Sequence, residues 1–301
     1  MPSTIWRFTD GKAGHDSQSV GLCRALNRQA GAAYIDIPVT ECKRNLFNIL
    51  FKRFPFGENL SPPDIVMGAG HATHLPMLAA ARFYQCKSIL LMKPGLPTTL
   101  FDFCLIPKHD KPRSGNNIIP TNGALNDIQA NKEKDENLLL ILLGGHSRHV
   151  KWEDEIVIKQ IRQIVEHSNQ TNIILIGSRR TPEQIFNNEL INNSSKITVY
   201  RSHDLPRSKL INHISKATNI WITIDSISMI YESLSSGANV GLIDMKTTSN
   251  NKINKNTKLL IDKKLVITVN DWLESGVFYK TDNFNEAERC AELLIQMKCF
   301  E

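Results

Sequence analysis

The chain has 301 residues, 22% charged and 41% hydrophobic, which suits a soluble globular protein of about two domains. Its net charge of +6 sits mostly in residues 1–135, which hold 16 Lys/Arg against 11 Asp/Glu, while residues 136–301 hold 20 against 19. That bias fits an anionic acceptor or an anionic membrane surface, and it is too weak for a nucleic-acid protein.

Apolar runs place strands at residues 4–8, 33–37, 64–67, 88–92 and 101–106, with helices at 17–29 and 73–84 between them. The polar stretch 131–137 reads as an interdomain linker. The alternation then resumes: strands at 138–143, 172–176, 196–200, 220–224 and 240–243, and helices at 153–168 and 207–217. Residues 247–258, rich in Asn, Lys and Thr, read as a mobile loop. Asp282 or Asn283 can cap a last helix whose stripe is Ala287, Cys290, Ala291 and Leu294. This pattern predicts an α/β protein with two Rossmann-like domains facing across a cleft, residues 1–135 and 136–280, followed by a C-terminal helix within 281–301.

Chemistry concentrates where predicted strands end. The loop after the first strand carries Asp10, Gly11, Lys12, Gly14, His15 and Gln18, with Asp16 or Ser17 as the cap of the next helix. Asp10 or His15 could take a proton from an acceptor hydroxyl, and the glycines alternatively serve only a tight turn. Gly68-Ala69-Gly70-His71-Ala72-Thr73 nearly spells a dinucleotide fingerprint but lacks its third glycine. His71 and His74 have no carboxylate or cysteine nearby to complete a metal site, so no metal is expected. Lys93 and His109 follow the next two strands and belong to the cleft rim.

In the second half, Gly144 and Gly145 follow a buried strand, where packing alone hardly justifies glycine; close approach to a diphosphate does, with Ser147 and Arg148 as further donors. Ser178, Arg179 and Arg180 precede Thr181, a candidate cap, and Pro182. Cations at a helix start oppose its dipole, and a bound anion removes that conflict. Residues 220–244 read strand, polar loop, helix, strand. Asp225, Ser226 and Ser228 crowd the helix start, and Glu232, one turn on from Ser228 and Met229, can accept hydroxyl protons from a sugar. A nucleotide-sugar site is the simplest reading. Absence of G-x-x-x-x-G-K-[ST] and G-x-S-x-G argues against a P-loop enzyme and an α/β-hydrolase. A nucleotide-sugar epimerase or other oxidoreductase would need bound nicotinamide, and no tyrosine has the lysine four residues on that the common epimerases use, which ranks that reading last.

The six cysteines form no C-x-x-C pair, as expected of reduced thiols in a cytoplasmic protein. The longest aliphatic run, residues 138–143, is too short to span a membrane, and the N-terminus lacks a signal-peptide pattern. Residues 43–56 mix cations with Leu and Phe. They form either a core helix with a basic outer face or a segment lying on a membrane interface, which would make the protein peripheral at the inner face of the cytoplasmic membrane.

Residues 6–15 with Gln18, Gly144-Gly145 with Ser147-Arg148, residues 178–182, and residues 225–229 with Glu232 together resemble the mitochondrial-fission ELM family, which includes bacterial glycosyltransferase-like proteins, some tied to lipooligosaccharide outer core. The resemblance implies a GT-B-like pair of Rossmann-type domains. The C-terminal one would hold the nucleotide sugar through Asp225, Ser226, Ser228, Met229 and Glu232; the N-terminal glycine loop would face the acceptor. The expected activity is metal-independent, cofactor-free transfer of a sugar from a nucleoside diphosphate to a cell-envelope glycan or glycolipid, with a non-catalytic scaffold as the alternative.

Overall fold

The apolar runs at 65–69, 89–91, 103–106 and 138–143 become strands buried on both faces, as parallel sheets require. A computed structural model describes residues 2–42, 45–148, 150–192, 194–247, 252–279 and 284–301. The chain forms two compact units, one from Met1–Asp127 with Asn285–Glu301 and the other from Ile128–Phe284.

The first unit holds strands β1 (Thr4–Thr9), β2 (Ala33–Pro38), β3 (Ile65–Ala69), β4 (Lys87–Leu91), β5 (Phe103–Pro107) and β6 (Ile118–Thr121) in the order β2-β1-β3-β4-β5-β6. All pairs are parallel, for example Ile5 against Ile65 and Phe8 against Gly68. Alternate residues face opposite sides. Ile5, Met67, Ile89 and Leu105 pack with helix α1 (Ala13–Ala30) and the C-terminal helix Glu286–Gln296, through Cys290, Ala291 and Leu294. Trp6, Phe8, Val66 and Leu90 pack the other face with Phe54 and with Met77 of α3 (His74–Tyr84). Helix α2 (Asn45–Phe51) lies beside α3.

The second unit holds β7 (Asp135–Leu143), β8 (Asn172–Gly177), β9 (Ile197–Tyr200), β10 (Ala217–Thr223), β11 (Asn239–Ile243) and β12 (Ile267–Thr268), again all parallel, in the order β12-β11-β10-β7-β8-β9. Its helices are α4 (Asp154–His167), α5 (Glu183–Phe186), α6 (Glu189–Asn192), α7 (Arg207–Lys216), α8 (Ile227–Ser235), α9 (Lys252–Asp262) and α10 (Val269–Ser275).

Three readings change. Asp135, Glu136 and Asn137 are not linker: they are the exposed first residues of β7, polar because only the strand's later part is covered. The supposed loop at 247–258 contains most of α9, whose Ile253 and Leu260 are buried; abundant Asn and Lys hid a helical spacing. The last helix is capped by Asn285, which accepts from Glu288 N–H at 3.1 Å; Asp282 and Asn283 lie outside the described residues. Lys43, Arg44 and His149 lie outside them too.

Candidate functional site

Strand order says where each sheet can bind something. Ligands of open α/β sheets sit beyond the carboxyl ends of the strands, where neighbouring crossovers diverge. In the second unit that point lies between β7 and β10, so the loops opening with Gly144 and ending in Asp225 flank it.

These loops are tied together. Gly144 N–H donates to Thr223 Oγ1 at 2.7 Å, and Gly145 N–H donates to Asp225 Oδ2 at 3.0 Å. Ser178 Oγ donates to the Gly144 carbonyl at 2.7 Å, and Thr181 Oγ1 donates to the Leu143 carbonyl at 3.1 Å. Thr181 therefore holds the β8 loop against the β7 loop and does not cap α5, which has no side-chain cap. The glycine pair also has a packing reason: a Cβ on Gly144 would strike the Asp225 carboxylate, and one on Gly145 would strike the Arg180 carbonyl.

The Asp225 side chain is fully buried and pairs with Arg180 at 2.8 Å, while its Oδ1 has no hydrogen-bond partner among the described residues. A buried carboxylate repels phosphate, so Asp225 organises the loops, with Arg180 as its counter-ion. Arg179 is exposed and has no partner among the described residues. It lines a cavity of about 420 Å³ with Ser178, Met229, Arg207, Leu142 and Leu205. Ser226 occupies the N-cap of α8 without a side-chain bond to it, so none of Asp225, Ser226 and Ser228 caps this helix through its side chain. First-turn amides of an uncapped helix remain available to an anion.

Glu232 is not open to a sugar. Its buried carboxylate accepts two hydrogen bonds from Arg207, at 2.6 and 3.1 Å. Arg207 went unremarked in the sequence, although it starts a helix directly after Pro206, the same dipole-opposed placement that marked Arg179 and Arg180. Ser147 forms a bridge with Val150, and Arg148 is exposed.

In the first unit the corresponding point lies between β1 and β3. Asp10 is buried there, and His15 Nδ1 stands 3.0 and 3.1 Å from its two oxygens. Burial alone would raise the Asp10 pKa, but the Lys12 N–H and His15 outweigh it and hold the carboxyl below its usual range. An ionised Asp10 makes Nδ1 the donor and leaves the lone pair on Nε2, the nitrogen free to act as a base. Asp10 is thus placed to orient the ring, and His15 is the one of the two that keeps a ring nitrogen turned away from the other. The Lys12 ammonium is 3.4 Å from Asp10, and Gln18 Nε2 donates to the Gly14 carbonyl at 3.2 Å.

Helix α1 begins at Ala13, four residues before its expected start, and neither Asp16 nor Ser17 caps it. Asp16 instead accepts from buried Arg7 at 3.0 Å, and Arg7 is also held by Asp36. The His15 ring lies against Gly70, where a Cβ would collide with it, and φ at Gly70 is +86°. His71 lies against Gly95 in the same way and stands 5.2 Å from His74, ring to ring. Burial and the neighbouring His71 lower the His74 pKa. Lys93 is exposed on the loop after β4; His109 is half-buried beside Asp110 at 3.8 Å. Among the described residues no group of three His, Cys, Asp or Glu could hold a metal ion.

Comparison with known proteins extends the fold assignment. A UDP-GlcNAc 2-epimerase from Methanocaldococcus jannaschii superposes with a TM-score of 0.62 at 12% identity, over 98% of this chain and 100% of that one. The Neisseria meningitidis UDP-GlcNAc 2-epimerase bound to UDP-GlcNAc gives 0.54 at 12% identity, over all of both chains. Both share the arrangement of two Rossmann-like halves, so the fold is GT-B-like. An uncharacterized Rickettsia prowazekii protein, RP120, is 26% identical over 96% of this chain and 97% of its own. Residues 13–297 match the model of the family described as mitochondrial fission ELM1, a match that begins just after the Trp6–Lys12 part of the motif, and the chain belongs to that family.

Proposed function

We propose that the protein is a metal-independent glycosyltransferase that moves a sugar from a nucleoside diphosphate to a hydroxyl of a cell-envelope glycan, such as a lipopolysaccharide or lipooligosaccharide core. The observation that carries this reading is the cavity beyond the carboxyl ends of β7 and β8, where Arg179, without a partner among the described residues, and the uncapped first turn of α8 meet an apolar wall of Leu142, Leu205 and Met229. The wall suits a nucleobase; the guanidinium and amides suit a diphosphate. They would neutralise the leaving diphosphate, as a metal ion does elsewhere. His15, oriented by Asp10, would take the acceptor proton while the acceptor oxygen bonds to the anomeric carbon. The sugar–phosphate bond breaks, and its electron pair leaves with the diphosphate. Six free cysteines support a cytoplasmic setting.

A second reading deserves a test because the superposed structures are 2-epimerases. The missing Tyr-x-x-x-Lys pair speaks only against nicotinamide chemistry. Thermal shifts with a panel of nucleoside diphosphates and nucleotide sugars should show one donor adding several degrees in wild type and much less in Arg179→Ala. No shift with any nucleotide overturns both enzyme readings and favours a scaffold. If a donor binds, incubating it without acceptor separates them: an epimer forms, or the sugar waits for an acceptor.

A further inference from the structure

Helix α2 is amphipathic in the wrong sense for water. Its Asn48 is 7% exposed, whereas Leu46 is 71%, Leu50 72%, Phe51 54% and Phe47 48% exposed. Phe47 and Phe51 pack against each other at the surface, their tilted rings 4.3 Å apart between centroids. The apolar area continues to α3, where Phe83 is 42% exposed and shares with Phe47 the lining of a cavity of about 730 Å³. Scattered exposed leucines are ordinary; five large apolar side chains on two adjoining helices form a patch that needs a cover.

We propose that this patch docks onto an anionic lipid membrane, with Leu46, Phe47, Leu50 and Phe51 inserted among the acyl chains. Charge selects the occupant. Lys52 and Arg53 follow the helix and Arg82 precedes Phe83, all exposed, against Glu41 and Glu58 on the cavity wall. Apolar groups bordered by cations match an interface of hydrocarbon beneath anionic headgroups. Insertion stops at side-chain depth: α2 has seven residues, and no described helix is long and apolar enough to cross a membrane. This inference stands apart from the transferase reading, because it uses none of the residues assigned there.

Cosedimentation of the full chain with phosphatidylcholine vesicles, with and without phosphatidylglycerol, tests it. Wild type should partition onto the anionic vesicles, and raised salt should weaken binding. Leu46→Ser with Leu50→Ser should lower the partition coefficient by about tenfold or more. Lys52→Gln with Arg53→Gln should weaken binding less and flatten the salt dependence. The replaced side chains are exposed, so an unchanged melting temperature checks that each variant is folded. A Phe51→Trp reporter should be quenched by brominated acyl chains, while Trp6, Trp152, Trp221 and Trp272 are buried and stay silent. Three results overturn the proposal: equal binding to neutral vesicles, a leucine pair that changes nothing, or a dimer that the leucine changes dissolve while vesicles stay bare.

Discussion

Two glycine-bearing loops occupy equivalent places in the two units and work in opposite ways. After β1, added Cβ atoms on Gly11 and Gly14 would meet nothing within 4 Å. After β7, added Cβ atoms on Gly144 and Gly145 would run into the Asp225 carboxylate and the Arg180 backbone. The first pair of glycines borders open space, on the same segment as the Asp10–His15 contact. The second spends its glycines on bringing three loops together, so that Arg179, not the glycine backbone, faces the cavity. Glycine after a parallel strand therefore signals close approach without saying what approaches.

Substitutions can break this contrast. The largest expected effect is in chemistry: His15→Ala should slow single-turnover transfer by roughly 10²- to 10⁴-fold, and Asp10→Asn should slow it through a misdirected tautomer with little change in donor affinity. Unchanged rates in both variants would remove the first loop from catalysis. Next, Gly145→Ala should cost about 3 kcal/mol or more in chemical denaturation, since backbone must move to admit the methyl. A stable Gly145→Ala protein would mean the β7 loop is looser than described. Arg179→Ala should weaken donor binding by about 10- to 100-fold in calorimetry while leaving stability unchanged, because no partner is lost.

A smaller effect concerns pH. Burial and His71 hold His74 below its ordinary value of 6.5. The unfolded chain therefore binds more protons once pH drops below about 6.5, and the native state loses stability there. Melts between about pH 7.5 and 5 should show that slope, and His74→Gln should flatten it. The smallest effect is Gly14→Ala, which should raise stability by about 0.5–1 kcal/mol as an open helical site. A drop in activity without a loss of stability there would show that the empty space is used.

Both sheets were legible in the sequence because a strand buried on both faces is a short unbroken apolar run, as residues 138–143 are. The edge strands β6 and β12 were missed: four and two residues, one with Pro120, carry too little pattern. Candidate site residues were picked out wherever a predicted strand ended. Their partners were not, because Arg207 meeting Glu232, and Arg180 meeting Asp225, are contacts across 25 and 45 positions that no local spacing encodes. Asp10 and His15 stood out in the sequence only as alternative bases on one loop; that the carboxylate holds the imidazole at 3.0 Å is a contact of the folded loop.

The course of the backbone has a consequence for synthesis. The first unit needs its final helix: Cys290, Ala291 and Leu294 lie in the same core as Ile5 and Met67, and Glu286 accepts from Asn122 N–H at 2.7 Å. The second unit is inserted between Asp127 and Asn285, so it leaves the ribosome whole while the first still lacks a wall. The part made first finishes folding last, and a stop just before Asn285 would spoil the beginning of the chain rather than its end.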